Sequence, residues 1–263
     1  MRLYKRLLIN NVKANLAFKS NFVIGTIFSF AEIIVTALIW TGFYRGADEV
    51  MGVALGEMLT YTVLNRLTIY LTDGGGIMYQ INESVQDGSI TERLTAPLGF
   101  MRYYILNALA AKPMQLAGRL FSIIPGALLF GARITAEPLM PLVYALMVAL
   151  AFAIETGYEF VMGLSVLWLK NSFFLEWTDG LLSTLFAGYL VPMWFFPKWL
   201  DAIGRVLPFR YIVFEPTSIL VGRTPPEQIP LVMSVSLAWA VALYAAAALM
   251  WRRGRRHLMI NGG

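Results

Sequence analysis

The sequence predicts an all-α integral membrane protein with six transmembrane helices, because it is too apolar for a soluble domain and its apolar residues fall into helix-length runs. Hydrophobic residues make up 58% of the chain and charged residues 14%, compared with about 45–50% and 25% in soluble domains. The mean hydropathy is +0.63. A chain of 263 residues accommodates six spans of about 20 residues with short connections. We therefore predict one transmembrane domain over residues 1–263.

Residues 1–20 predict an amphipathic helix that lies on the cytoplasmic surface of the membrane. Leucine and valine alternate there with Arg2, Lys5, Arg6 and Lys13, so apolar and basic side chains segregate onto different faces of a helix. The basic residues run through the whole segment, and no small-residue cleavage site follows the next apolar run. This pattern argues against a signal peptide.

Six apolar runs after this segment predict the transmembrane helices, since each approaches the length that crosses the hydrocarbon core. They cover residues 22–43, 56–77, 114–130, 141–169, 181–196 and 231–251. Residues 44–52 carry three charges and predict a short external loop. Residues 170–177 predict a turn on the inner side.

Two connecting regions are too distinctive to be simple loops. Residues 79–112 form a polar, charge-bearing insert between the second and third spans, and we predict that they form a cytoplasmic helix and its surroundings. Residues 197–230, between the fifth and sixth spans, are apolar but interrupted by six prolines, which no single helix tolerates. Short re-entrant helices in the outer half of the membrane reconcile these two facts, because irregular backbone is tolerated there when protein covers it.

The distribution of basic residues predicts the orientation. Segments assigned to the inside hold 13 Lys and Arg, and segments assigned to the outside hold six. Because positive charge is enriched on the cytoplasmic side, we predict that both termini are cytoplasmic and that the protein is a multi-pass component of the inner (cytoplasmic) membrane. The net charge of +5 then follows the lipid surface, and we expect no nucleic-acid partner.

The residue inventory points away from an enzyme. The chain has no cysteine, and its one histidine is His257 in the basic tail, so thiolate chemistry, a histidine-based metal site and a histidine-based triad are all excluded. The glycines at 74–76 lack the Lys and Ser/Thr of a phosphate-binding P-loop, and no zinc-protease or nucleophile-elbow motif occurs. We predict no catalytic, metal or cofactor site on this chain.

Ionisable side chains inside the predicted spans are candidates for a polar path. An unpaired charge at the bilayer centre costs about 2.5–3.5 kcal/mol or more, so such residues pair or face water. Glu155 and Glu159 are four residues apart and share one helical face, where they line a path or meet Arg66 and Arg119. The alternative is that these pairs only hold the helices together. The candidates for the translocation path are Glu32, Arg66, Arg119, Glu155 and Glu159.

Two local patterns carry a resemblance to a known family. Residues 87–104, DGSITERLTAPLGFMRYY, resemble a G-x-I-x-x-x-L-x-x-P-L pattern after the second span. Residues 207–222, LPFRYIVFEPTSILVG, resemble an L-P-F-x-x-x-x-x-x-P-x-x-x-x-x-G pattern before the last span. Together with the order of elements over nearly the whole chain, they resemble the membrane subunit of ABC type-2 exporters, in its short bacterial branch.

This resemblance implies two kinds of partner. Such permeases pair with a second permease subunit, identical or related, around a central path. Two copies of a separate ATPase, which binds ATP and Mg²⁺, dock on a coupling helix in the first inner loop. Here that helix maps to residues 81–88, and the alternative is an ordinary solvated face. The residues implied for coupling are Ile81, Asn82, Glu83, Ser84, Asp87, Gly88, Glu92 and Arg93.

The function implied by the resemblance is ATP-driven export of a hydrophobic or amphiphilic compound, such as a drug, a peptide or a lipid-like molecule. Two other classes stay open at this point. An ion-coupled secondary transporter would use an intramembrane carboxylate such as Glu155 and show internal repeats, which are not evident in the two halves. A membrane scaffold or assembly subunit would need no polar path.

Overall fold

The computed structural model describes residue 9 and residues 19–90, 99–134, 137–169 and 172–261. The predicted interfacial helix over residues 1–20 falls almost wholly outside the described residues. The described elements are, in chain order, helix α1 (Lys19–Tyr44), strands β1 (Glu49–Val50) and β2 (Val53–Ala54), and helices α2 (Leu55–Thr72), α3 (Ile77–Gln86), α4 (Phe100–Phe130), α5 (Met140–Ser165), α6 (Ser172–Phe186), α7 (Lys198–Val206), α8 (Phe214–Val221) and α9 (Ile229–Asn261).

Among the described residues, four helices are long and apolar enough to cross a membrane. They are α1, α4, α5 and α9, which coincide with the first, third, fourth and sixth predicted spans. Helix α6 has 15 residues and extends about 22 Å, short of the roughly 30 Å hydrocarbon core. Helix α2 has 18 residues and carries more polar side chains. The all-α membrane class is confirmed, and six spans stay a prediction.

The threonine side chains of α2 are satisfied within the helix itself. The hydroxyl groups of Thr60, Thr62, Thr68 and Thr72 each donate a hydrogen bond to the carbonyl oxygen four residues earlier, at 2.8–3.0 Å. A threonine bonded in this way has no unpaired donor in apolar surroundings. The low hydropathy of α2 is therefore compatible with its burial. The helix ends at Thr72, not at residue 77 as predicted.

The predicted fifth span over residues 181–196 differs from the structure, where α6 begins at Ser172 and ends at Phe186. The helical conformation ends just before Gly188, whose φ of +74° lies in the left-handed region that favours glycine. The carbonyl oxygen of Gly188 accepts hydrogen bonds from the Tyr61 hydroxyl and the Asn65 amide, both at 2.8 Å. Because buried irregular backbone needs internal partners, these two donors from α2 stabilise the break.

The predicted external loop over residues 44–52 contains part of a small antiparallel hairpin formed by β1 and β2. The Tyr44 hydroxyl donates to the carbonyl of Val53 at 2.9 Å and fastens the hairpin to α1. At the start of α2, the carboxylate of Glu57 accepts a hydrogen bond from the N–H of Ala54 and pairs with Arg223 at 2.5 Å. The carboxylate of Glu57 therefore lies at the N-terminus of α2.

Other helix boundaries also differ from the sequence prediction. Helix α4 runs unbroken from Phe100 and includes residues 101–112, which we predicted as part of the cytoplasmic insert. Pro113 and Pro125 lie inside it, although proline removes a helical hydrogen bond. Helix α5 ends at Ser165, four residues before the predicted end, and α9 continues to Asn261, well past the predicted end at residue 251.

Helix α5 is the centre of the packing and contacts α9, α3, α8 and α2. Gly157 allows α9 to approach, since a Cβ atom there would lie 3.0 Å from the Cβ of Leu243. The hydroxyls of Thr156 and Tyr244 lie 2.7 Å apart and join the same two helices. A displacement of α5 must therefore involve α3, α8 and α9 together, because packed interiors deform little.

Residues 197–230 contain the short helices α7 and α8 with turns between them, and the re-entry of this region into the membrane stays a prediction. Most of α8 is buried. The guanidinium of Arg210 lies between Asp201 and Glu215, at 2.5 Å from a carboxylate oxygen of each. Pairing of this kind offsets part of the desolvation penalty of a buried charge.

Candidate functional site

Helix α3 lies at the predicted coupling position but begins at Ile77, four residues earlier than the sequence prediction. The glycines at 74–76 turn the chain sharply away from α2, and Gly75 and Gly76 have φ values of +77° and +69°. The helix ends at Gln86, two residues before the predicted end, and Gly88 has a φ of +78°, which is typical of the residue that follows a helix C-cap.

One face of α3 is apolar and buried against α5. Ile77, Met78 and Ile81 are at most 4% exposed. Gly163 of α5 makes this contact close, because a Cβ atom there would lie 3.0 Å from Cδ1 of Ile81 and 3.2 Å from Cα of Met78. Helix α3 is therefore attached to α5 through its backbone and its apolar side chains.

The opposite face of α3 is exposed and carries Tyr79, Glu83, Gln86 and Asp87, which helical spacing places together. Only some of the residues implied for coupling are exposed on this side of the helix. Ile81 and Asn82 are buried within the chain, Ser84 is half-buried and donates to the carbonyl of Gln80 at 2.7 Å, and Glu83, Asp87 and Gly88 are exposed. Glu92 and Arg93 lie outside the described residues.

Asp87 is positioned by the turn that ends α3. Its Oδ1 accepts a hydrogen bond from the backbone N–H of Ser89 at 2.8 Å. This bond, together with one from the Ser89 side chain, lowers the pKa of the Asp87 carboxyl. The end of α3 therefore presents a fixed negative charge to the solvent.

Glu159 of α5 joins the intramembrane carboxylates to the start of α3. Its Oε2 accepts a hydrogen bond from the backbone N–H of Ile77 at 2.9 Å, so a side chain of one helix satisfies an otherwise unpaired N–H group of another. A carboxylate at a helix N-terminus is also favoured by the helix dipole. Gly74 makes room for this contact, because a Cβ atom there would overlap the Glu159 carboxylate.

Lys112 of α4 closes the end of α2. Its ammonium donates hydrogen bonds to the backbone carbonyl of Tyr70 at 2.9 Å and to that of Asp73, and one oxygen of the Asp73 carboxylate lies 3.8 Å away. Carbonyl groups at the C-terminus of a helix favour a cation. Lys112 thereby joins α4 to the junction between α2 and α3.

A cavity of about 290 Å³ lies beside this junction. Glu155, one helical turn from Glu159, lines it, and within the described part of the chain its buried Oε2 has no hydrogen-bond partner. The cavity places this carboxylate close to Lys112 and to the junction. Its lining residues include Ile69, Asp73, Gln115, Arg119, Glu155 and Tyr189.

The structure separates the five candidate path residues into three groups. Arg66 pairs with Glu32 at 3.3 Å, so it is not a partner of Glu155 or Glu159. Arg119 reaches the same cavity as Glu155, but its guanidinium donates to the carbonyl of Gly25 at 2.7 Å and lies 4.3 Å from the centre of the Tyr70 ring. Glu155 and Glu159 share one face of α5, as predicted.

Sequence reasoning missed three residues of this site. Lys112 was counted only as a cytoplasmic charge, and Asp73 and Gly74 only as the end of a span and part of a glycine run. A signal was present, since an acidic residue followed by three glycines interrupts an apolar segment and such a run marks a break in a helix.

Comparison with known families places this geometry in context. A family model described as ABC-2 family transporter protein matches residues 30–262, which is most of the chain. No curated protein and no solved structure gives a significant match.

Proposed function

The chain belongs to the ABC-2 transporter family, and from this premise we propose that it forms the translocation path of an ATP-driven exporter for a hydrophobic or amphiphilic compound. As a member of this family it is a membrane component of an ABC transporter. The proposal adds the outward direction, the class of compound and the way in which ATP hydrolysis reaches the path.

The observation that carries the proposal is the double attachment of α3. Its exposed face presents the carboxylates of Glu83 and Asp87, and these suit a basic groove on a soluble partner. Its other face is held on α5 by the close contact at Gly163 and by the bond from Ile77 to Glu159. A force applied to the exposed face therefore reaches a helix that spans the membrane.

The path of transmission follows from these contacts. When the ATPase closes on ATP, α3 moves as a rigid body and displaces the inner half of α5. Glu155 is one turn from Glu159 on α5, so the cavity that Glu155 lines changes shape with each ATP cycle. This sequence of contacts couples hydrolysis on one chain to the path on another.

The proposed complex contains two copies of the ATPase, each with ATP and Mg²⁺, and a second permease subunit, identical or related. Both termini of this chain lie on the cytoplasmic side of the inner membrane. Exposed apolar side chains on the described helices, such as Phe121 and Leu128 of α4, offer contact surface to lipid or to the second permease subunit.

Charge reversal on the exposed face of α3 tests the coupling step. The double variant Glu83→Lys, Asp87→Lys is expected to lower the affinity for the cognate ATPase by about tenfold or more, since close interfacial charge pairs couple strongly. Glu227→Lys is the matched control, because Glu227 is exposed in the outer region. Unchanged ATPase binding by the double variant would contradict this docking surface.

Reconstitution tests the energy source. Proteoliposomes that contain the chain with its ATPase are expected to transport an amphiphilic dye only when ATP is supplied. Transport driven by an ion gradient in the absence of ATP would instead establish an ion-coupled secondary transporter.

A further inference from the structure

The cavity beside the junction of α2 and α3 holds a charge imbalance. The ionisable groups that bear on Glu155 are the carboxylates of Glu159, Asp179 and Asp73, and the ammonium of Lys112. The guanidinium of Arg119 also lines the cavity, so three negative groups and two positive groups surround Glu155. A carboxylate in such surroundings is costly unless a cation or a proton compensates it.

The neighbouring groups are already engaged, which leaves Glu155 as the unmatched charge. Glu159 accepts the N–H of Ile77, and Lys112 donates to two backbone carbonyls at the end of α2. Arg119 is directed at the carbonyl of Gly25 and stacks on Tyr70. In the described part of the chain, Oε2 of Glu155 is sealed from solvent and has no hydrogen-bond partner.

The lining of the cavity suits an organic cation. Ile69 and Tyr189 provide apolar and aromatic surface next to the carboxylate, and aromatic rings attract ammonium groups. Over the described ranges, 19–90, 99–134, 137–169 and 172–261, the His, Asp and Glu side chains form no group that could hold a metal ion. A volume of about 290 Å³ lies at the small end of ligand pockets and fits an amine-bearing group better than a whole lipid.

We infer that this cavity binds the protonated amine of the transported compound, with the carboxylate of Glu155 as its counter-ion. The inference rests on the proposed function and narrows the substrate class to amphiphilic amines. The ammonium occupies the polar end of the cavity beside Glu155, and the apolar part of the compound lies against Ile69 and Tyr189.

Binding of a matched pair of small molecules tests the inference. Phenethylamine carries a protonated amine at neutral pH, and 2-phenylethanol has the same shape without the charge. The full chain in phosphatidylcholine nanodiscs is expected to bind phenethylamine about tenfold more tightly than 2-phenylethanol by titration calorimetry, a difference in affinity of about 1.4 kcal/mol. Empty nanodiscs of the same lipid correct for partition into the bilayer.

Two variants assign this preference to Glu155. Glu155→Gln keeps the shape and removes the charge, so it is expected to abolish the preference for the amine. Glu227→Gln, which removes an exposed carboxylate elsewhere, is expected to retain it. Equal affinity for the two compounds in the wild type, or an unchanged preference in Glu155→Gln, would overturn the inference.

Two further measurements keep the outcomes distinct. If Glu155→Gln fails to fold, Glu155→Asp decides the matter: retention of the amine preference supports the inference, and its loss overturns it. ATPase binding is measured on the same nanodiscs. A chain that binds the ATPase but shows no amine preference refutes this inference and leaves the proposed function standing, whereas the reverse result refutes the proposed function alone.

Discussion

The Oε2 atom of Glu159 lies 2.9 Å from the backbone nitrogen of Ile77, so a side chain of the membrane-spanning helix α5 caps the helix that we assign to ATPase docking. Glu159 belongs to the same helical face as Glu155, which lines the cavity beside the junction of α2 and α3. This hydrogen bond joins α3 to the helix whose Glu155 lines that cavity.

We expect Glu159→Ala to weaken the attachment of α3. The substitution leaves a buried N–H group at Ile77 without its acceptor, which costs about 1–3 kcal/mol. The expected results are a lower unfolding temperature in detergent and a reduced affinity for the ATPase. Glu159→Gln retains an acceptor oxygen and should restore most of both, and Glu227→Ala serves as the control. Wild-type stability and docking in Glu159→Ala would remove this bond from the coupling path.

Gly74→Ala should disturb the same contact from the other side. Its added Cβ atom overlaps the Glu159 carboxylate, and overpacking of this kind costs about 1–3 kcal/mol. Gly42→Ala is the matched control, because a Cβ atom there meets nothing within 4 Å and alanine favours a helix by up to about 1 kcal/mol. Thermal unfolding of both variants measures the difference.

A double variant tests whether Gly74 and Glu159 act as one unit. When Glu159 is already alanine, Gly74→Ala should cost little more, because the overlapping group has been removed. The two effects are then not additive, as residues in contact generally show. Strict additivity would mean that Gly74 acts only through its own backbone.

The break at Gly188 should depend on its two donors from α2. Tyr61→Phe and Asn65→Ala each remove one hydrogen bond to the same carbonyl oxygen, and the remaining donor still satisfies it. The double variant leaves that carbonyl unpaired, so its loss of stability should exceed the sum of the single losses. Thr41→Val, which removes only a bond within α1, is the control. Chemical unfolding of the four variants measures these differences.

The free energy of unfolding should fall at acidic pH, partly because the carboxylate of Asp201 in α7 becomes protonated. Burial raises the pKa of this carboxyl, but hydrogen bonds and charge from Arg210 and Arg205 outweigh burial and hold its pKa below the ordinary value of 3.8. The carboxylate therefore contributes stability above the pKa of the unfolded chain, and this contribution is lost as the pH falls through the lower folded pKa.

A pH series of unfolding temperatures checks this expectation. The difference in stability between the wild type and Asp201→Asn should be constant from pH 5 to 7, within about 0.5 kcal/mol, and should shrink below pH 4. Asp48→Asn, in the exposed turn after α1, should show no such convergence. A constant difference down to pH 2 would contradict the role of the Asp201–Arg210 pair.

Much of the fold could be predicted because membrane insertion is governed by local composition. Helices α1, α4, α5 and α9 each contain an apolar window of 18 residues, and such segments form helices in a membrane, since backbone groups in lipid must bond internally. The position of Gly88 just after α3 could also be predicted from neighbouring residues, because the left-handed residue that follows a helix is usually glycine.

The extents of α2 and α6 could not be predicted in this way. Their boundaries depend on partners from distant positions: Lys112 closes the end of α2, and Tyr61 and Asn65 of α2 stabilise the break at Gly188. Hydropathy gives no information on which backbone group a side chain far along the chain will reach. The number of spans depends on the extents of α2 and α6, so the count of six stays a prediction.

The sequence by itself determined the membrane class, the family and the position of the polar insert, because each depends on runs or patterns of neighbouring residues. Only the tertiary structure decided which contacts the carboxylates of Glu155 and Glu159 make. Glu155 and Glu159 share one face in any helix, but Glu159 caps α3, whereas Oε2 of Glu155 has no hydrogen-bond partner among the described residues. That difference arises from packing between α5, α3 and α4, where residues far apart in the sequence come within hydrogen-bonding distance.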